Sequence, residues 1–388
     1  MVHIHITLVG DQTYPVYLGI AEDEISPDMV ILVHSENSLT EAQRIAAEFA
    51  DSNIEFRYEL CNPVNVKQVL AKAKELAQSM SDDNHYTINL TSGTKVWSII
   101  FHEAFENKPN VKFIYVDQTC NIYDLSTGEM RMGAAIDTHR VFRLNGTSAL
   151  RYLRFEDLTE EDLDAITRIR QLTRVNRAAV TDVTNYEFNK ARNRRRDKFE
   201  SVKFPGSSIA WDLDKKEVTL TITNKKTVAT DTISSPHIFS LMFNAGWFEA
   251  EVARQLSFWE HSREIMLNVV FPYSERVAKN EIDIIVNTGN RLLFVECKTS
   301  IHSVTDLDKF SKAVRNFGGT GCHAMFVSYS SMGDKPSEKC RDNNIIPFSF
   351  QDTLNAVNSG EIPLSDGNPI TNALCALLDK KLSTINKK

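Results

Sequence analysis

Several common signatures are missing from these 388 residues. The six cysteines, at 61, 120, 297, 322, 340 and 375, are scattered with no CxxC pair. That excludes a zinc ribbon and a disulfide framework and predicts reduced thiols in a cytoplasmic protein. Neither GxGxxG nor GxxxxGK[ST] occurs, so the chain has no dinucleotide fingerprint and no Walker A loop. No stretch approaches the roughly 18 consecutive apolar residues of a membrane span. The start, Met1-Val-His-Ile-His-Ile-Thr-Leu, has no basic segment leading into an apolar core, which predicts neither a signal peptide nor a membrane partner. A net charge of −7 argues against a chain coated in nucleic acid but permits a local basic groove.

What is present begins with alternating strand and helix signals over residues 1–145. Strands are expected at His3–Val9, Met29–His34, Ile54–Leu60, Tyr86–Leu90, Val111–Val116 and Asn121–Leu125, with helices over 39–50, 64–80 and 94–107. This alternation predicts βαβ units and a mostly parallel, doubly wound sheet, which binds ligands at the carboxyl ends of its strands. Two loops fall there. Gly10, Asp11 and Gln12 follow the first strand, and Thr91-Ser92-Gly93-Thr94-Lys95 leads directly into a helix. Gly93 permits close backbone approach, the helix start offers free N–H groups to an anion, and Lys95 adds charge. The same residues also read as a plain helix cap with Ser92 or Thr94 as the capping side chain.

Residues 146–235 read as a connector, helical and basic with a short β-hairpin. Arg192, Arg194, Arg195, Arg196 and Lys198 form a basic run that suits either a solvated face or contact with nucleic acid. From 236 to 388 the expected order is helix, strand, β-hairpin, helix, strand.

The hairpin, Asn280–Ser300, is the most informative stretch. Two apolar, β-branched runs flank Gly289-Asn290, which suits a two-residue turn. Counting back from that turn places Asp283 opposite Glu296, and Lys298 on the face of Glu296. Two carboxylates buried side by side need a cation. Asp283 and Glu296, with the backbone carbonyl of Cys297, are expected to hold Mg²⁺ or Mn²⁺ as a cofactor for phosphodiester hydrolysis, with Lys298 steadying water or charge. Glu249, early in the preceding helix, reads by itself as a dipole-complementing acid.

Gly-x-Phe-Glu at 246–249, Glu-Ile-Asp at 281–283 and Glu-Cys-Lys at 296–298 resemble the PD-(D/E)xK nuclease motifs, although no proline precedes Asp283. The resemblance implies that Glu249 joins the metal site, with Glu281 in support. The whole chain is similar to the type III CRISPR ancillary nucleases that carry one CARF domain and one PD-(D/E)xK domain. The fold class expected is therefore α/β: a Rossmann-like CARF domain (1–145), the connector, and an α/β restriction-endonuclease-like domain (236–388). The resemblance further implies a homodimer activated by a cyclic oligoadenylate, commonly cyclic tetra-adenylate. Gly10, Asp11, Gln12, Thr91, Ser92, Gly93, Thr94 and Lys95 would bind the ring. Cleavage or nicking of DNA or RNA with low sequence specificity would follow. The alternative is a CARF-type ligand-sensing regulator that binds nucleic acid without cutting it.

Overall fold

The structure, a computed structural model, describes residues 1–185, 197–225, 227–243, 246–273, 280–300, 305–319, 321–362 and 367–382. The chain forms two compact units. The first holds Met1–Ala149 together with Gly289–Leu292 and Val314–Cys322, and the second holds the remainder. Among the described residues no helix is long and apolar enough to cross a membrane.

The first unit is built on β1 (His3–Val9), α1 (Thr13–Ala21), β2 (Met29–His34), α2 (Leu39–Ala47), β3 (Glu55–Leu60), α3 (Val66–Gln78), β4 (His85–Asn89), α4 (Lys95–Phe105) and β5 (Val111–Val116). Two antiparallel strands, β6 (Asn121–Asp124) and β7 (Met130–Met132), extend the sheet, and α5 (Thr138–Leu144) follows. The strand order is β3-β2-β1-β4-β5-β6-β7, with the first five parallel. The order reverses between β1 and β4, and in such sheets that crevice, at the carboxyl ends, is where ligands sit.

Helix α1 was not expected from sequence. It buries Thr13, Val16, Tyr17, Leu18, Gly19 and Ile20, so it is apolar nearly all round and shows no amphipathic stripe to read. Pro15 lies in its first turn, where a missing N–H forfeits no helical hydrogen bond.

The second unit contains two sheets. Its six-stranded sheet runs β17-β16-β15-β14-β13-β8. The strands are β8 (Arg151–Arg154), β13 (Glu264–Val270), β14 (Glu281–Asn287), β15 (Leu292–Lys298), β16 (His323–Ser328) and β17 (Ile345–Ser349). β8, β13 and β14 pair antiparallel, whereas β15, β16 and β17 are parallel. The four-stranded antiparallel sheet is β12-β11-β10-β9, from β9 (Lys198–Glu200), β10 (Ser208–Asp212), β11 (Glu217–Asn224) and β12 (Thr227–Ser234).

Between the sheets in sequence lie α6 (Glu160–Thr184), α7 (Ile238–Met242) and α8 (Gly246–Leu256). α9 (Thr305–Gly318) lies between β15 and β16, α10 (Asp334–Asp342) between β16 and β17, and α11 (Phe350–Asn358) and α12 (Pro369–Leu382) follow β17. The segment 146–235, read above as a connector, supplies β8 to the six-stranded sheet and α6 to a core that also contains Trp247, Phe248, Val286, Val295 and Val327. α6 starts on a capping box in which Thr159 and Asp162 exchange hydrogen bonds.

Candidate functional site

The hairpin expected over 280–300 is β14 and β15. Residues 288–291 connect them, too short a link for anything but an antiparallel return. Gly289 sits at φ +92°. In β14 all residues after Glu281 are buried, as are all in β15 before Lys298. That burial on both faces explains why the sequence reads as apolar runs. Asp283 is 7% exposed and Glu296 2%. Such a position is costly for a carboxylate unless it is paired or coordinated.

Several observations tie the residues together. The Cys297 backbone N–H donates to Asp283 Oδ2 at 2.7 Å. Lys298 Nζ lies 2.7 Å from Glu296 Oε1. The Tyr329 N–H donates to the Lys298 carbonyl on the β16 side. Alternation along a strand then turns the Cys297 N–H and carbonyl toward β14, where Asp283 is. Burial alone would lower the Lys298 ammonium. The Asp283 charge, then Glu296, then Glu249 outweigh it and push the group up, so Lys298 is a cation. Burial pushes the Cys297 thiol well up, and Asp283, Glu249 and Glu296 add to it. The thiol itself belongs to the apolar core.

Glu249 projects from the first turn of α8, which packs on β13 and β14. Its Oε2 is shut off from solvent and has no hydrogen-bond partner. Burial, then the Asp283 and Glu281 carboxylates, raise its carboxyl well above the ordinary range, with Lys298 pulling the other way. Glu251, two residues on, shows the contrast. It is fully buried, but Arg170 and Arg254 each approach it at 2.7 Å and Gln255 donates to it at 2.9 Å. Glu251 thus has two arginines beside it, whereas Glu249 makes no ion pair among the described residues, although the Oε2 of each lacks a hydrogen-bond partner. Glu281 is exposed at the start of β14.

Among the described residues, the one set of three ligating side chains whose donor atoms all lie within 4.8 Å of one another is Glu260, His261 and Asp379. Glu260 and His261 are exposed, and Trp259 Nε1 donates to Asp379 at 2.7 Å, so ordinary surface pairing accounts for them. The donor atoms of Glu249, Asp283 and Glu296 do not all come that close to one another, so the set is open. An open, all-oxygen set with one orphaned buried oxygen suits a small hard cation, because Mg²⁺ is typically held by one or two carboxylates and keeps several waters.

In the first unit, the two predicted loops meet. A Cβ placed on Gly10 would stand 2.9 Å from Ser92 Oγ and 3.2 Å from the Gly93 nitrogen. They abut at the carboxyl ends of β1 and β4, across the reversal point. Gly93 has φ +86°, and a Cβ there would meet the Trp97 ring at 2.8 Å. Thr94 caps α4, its Oγ1 accepting from the Trp97 N–H at 3.3 Å. Thr91 and Ser92 are buried. The Thr91 hydroxyl donates to Asn89 Oδ1, and the Val116 N–H donates to that hydroxyl at 2.9 Å. Gly93, Thr94, Lys95 and Asp11 are exposed, and Gln12 is half-buried at the start of α1. The loop is thus anchored from below and open above.

The basic run behaves differently. Arg192, Arg194, Arg195 and Arg196 lie outside the described residues. Lys198 is exposed on β9 and lies 3.3 Å from Glu200. Sequence reading did not single out Arg177 and Lys203, which border a groove reached from Lys298 through Thr299 and Ser300.

Residues 4–140 match the model of the Card1 CARF domain. No curated protein sequence matches the chain. Among solved structures, Can2 from Sulfobacillus thermosulfidooxidans in complex with cyclic tetra-adenylate is similar, with 18% identity, TM-score 0.64, and 98% and 99% of the two chains covered. VC1899 from Vibrio cholerae aligns at 15% identity and TM-score 0.71 over 98% of each chain. A type III CRISPR defence DNA nuclease activated by cyclic oligoadenylate aligns at 14% identity and TM-score 0.52, over 90% of this chain and 48% of that one. At these identities the likeness is one of fold, and it runs through both units. The first unit carries a segment of CARF type, within a chain that has the fold of Can2 from end to end.

Proposed function

We propose that the chain is a metal-dependent nuclease of type III CRISPR defence, acting in the cytoplasm and switched on by a cyclic oligoadenylate. The observation that carries the reading is Glu249. It is a half-buried carboxylate whose Oε2 is shut off from solvent without a partner, set beside Asp283, Glu296 and a cationic Lys298.

Asp283, Glu296 and the Cys297 carbonyl would hold Mg²⁺ or Mn²⁺, with Glu249 facing the same space. A bound ion would polarise the phosphodiester and make an attacking water more acidic. Lys298, fixed by Glu296, neutralises charge developing on a phosphate oxygen. The PD-(D/E)xK motif order read from the sequence supports this assignment of roles.

The activator is taken to be a cyclic oligoadenylate, with cyclic tetra-adenylate favoured by the Can2 complex. Ser92, Gly93, Thr94 and Lys95, with Gly10, Asp11 and Gln12, would take its backbone at the start of α4. Beside Lys95, α4 exposes Val96 and Ile99, the latter by 65%, and the adjoining α3 exposes Leu70. A second copy of this unit would cover those side chains, and a two-fold ring suits such an isologous pair. The ring must bind the active state more tightly than the resting one, or it activates nothing.

The test is a substrate panel. Supercoiled plasmid, single-stranded DNA and RNA are incubated with Mn²⁺ or Mg²⁺, with and without cyclic tri-, tetra- and hexa-adenylate. Cleavage that needs both a metal and one ring is expected. Strand binding without cleavage under every condition would instead favour a non-cutting regulator.

A further inference from the structure

The second unit has an open groove of ≈ 640 Å³ that none of the roles above uses. Its border includes Arg177, Phe199, Lys203, Phe204, Thr299 and Ser300. Thr299 and Ser300 directly follow Lys298, so the groove begins within about 7 Å of chain from that residue. That reach is about two base steps of a single strand, at roughly 3.4 Å each.

The lining combines charge with aromatic surface. At Asn176 the α6 backbone leaves the helical conformation. Asn176 Nδ2 donates to the Thr223 carbonyl at 2.9 Å, and its Oδ1 accepts from the Ala179 N–H at 3.1 Å. The redirected turn carries Arg177 over the Tyr329 ring, 5.6 Å from its centroid. Earlier in α6, Arg168 is paired with Asp231 and Arg170 with Glu251. Arg177 makes no ion pair among the described residues. Lys203 is exposed and lies 3.3 Å from Asp182, which also accepts a hydrogen bond from Ser201. Phe199 and Phe204 pack on the core with part of each ring and border the groove with the rest.

Cations that track a phosphate backbone, beside aromatic faces on which bases stack, are the pattern of single-strand binding. We infer that this groove holds a single nucleic-acid strand flanking the phosphate that is cut. Arg177 and Lys203 take backbone phosphates, and Phe199 and Phe204 receive an unpaired base. The inference rests on the nuclease reading for the location of the cut, but binding in the groove can be measured without it. On this reading α6 and the four-stranded sheet form the wall of the substrate path.

The experiment uses the full chain carrying Glu296→Gln, in EDTA, with and without cyclic tetra-adenylate. Fluorescence anisotropy follows a short labelled single strand, as DNA and as RNA, and a blunt duplex across a salt series. Arg177→Ala is expected to weaken single-strand binding about tenfold and Lys203→Glu at least as much. Each should flatten the salt dependence by about one counterion. Phe204→Ala should weaken the single strand and spare the duplex. Lys203 is exposed, so its variant tests the groove even where Phe204→Ala fails to fold.

Unchanged affinity and salt slope in both charge variants overturn the proposal. So does an equal loss for duplex and single strand, which marks a duplex track. If the variants lose strand binding while wild type cleaves nothing with any metal or ring, the groove stands and the nuclease reading falls. If wild type cleaves and both charge variants keep its KM, the reverse holds.

Discussion

The loop before α4 and the end of the β14–β15 hairpin are both polar sites on α/β sheets, yet they are built in opposite ways. The loop is made of backbone, small hydroxyls and one exposed lysine. Its buried members, Thr91 and Ser92, are neutral, and Thr91 is satisfied by Asn89 and Val116. The hairpin end concentrates full charges in the interior, where Asp283 and Glu296 are buried and Glu249 keeps an unpartnered oxygen. Neutral anchoring is stable by itself and leaves the binding surface open. Buried like charges are unstable by themselves and gain when a cation arrives. The first arrangement suits the sensor role proposed for the loop, and the second suits the metal site proposed at the hairpin.

The sharpest way to break this contrast is to neutralise the hairpin. Asp283→Asn or Glu296→Gln should remove strand cleavage altogether in a nicking assay. Lys298→Ala should lower the rate by about 10²–10³, the usual loss for one stabilising donor. Cleavage at wild-type rate in all three would remove the hairpin from the chemistry.

A smaller effect is expected at the loop. Lys95→Ala takes away one charge-assisted contact, worth roughly 1.5–3 kcal/mol. Calorimetry should show ring affinity falling about 10- to 100-fold, with melting behaviour unchanged because the side chain is exposed. Equal ring affinity in the variant would move the ligand elsewhere.

The pH dependence of stability separates the two regions further. Glu249 has a raised folded value, so the folded chain holds its proton more tightly than the unfolded chain does. The stability it contributes is complete below the ordinary carboxylate range and is lost as pH rises through the raised value. In EDTA, Glu249→Gln should therefore melt progressively higher than wild type as pH is taken from about 5 to about 8. Mn²⁺ should raise the melting of wild type more than that of the variant. Parallel melting curves would contradict the charge strain assigned to this group.

The smallest effect concerns Cys297. Its thiol is buried in the core and pushed well up. It should resist iodoacetamide in the native chain and label only on unfolding, as mass spectrometry would read. Rapid native labelling would mean that β15 opens.

How far these features could be read from sequence follows from how local they are. The hairpin was legible because Gly289-Asn290 sets the turn and a count of two per face brings Asp283, Glu296 and Lys298 into one neighbourhood. The loop was legible because Gly93 and Lys95 stand directly before an amphipathic helix. Several elements were not, α1 and α10 among them. α1 is apolar nearly all round, and α10, Asp-Lys-Pro-Ser-Glu-Lys-Cys-Arg-Asp, buries only Cys340, so neither shows the stripe that periodicity needs. From the helix alone Glu249 reads as a dipole-complementing acid, and no local pattern shows that Glu251 has arginines beside it while Glu249 makes no ion pair among the described residues. The groove joins residues 177, 203 and 299 from three distant stretches, and no local pattern announces it.

The central claim is that chemistry at the hairpin waits on a ring at the loop. It is tested most directly by initial rates of plasmid nicking in Mn²⁺, for wild type and Lys95→Ala, with and without saturating cyclic tetra-adenylate. The account predicts that wild type is silent alone and active with the ring. Lys95→Ala should stay silent until much higher ring concentrations and then reach the same maximal rate. Nicking by wild type at one rate with and without the ring would contradict it.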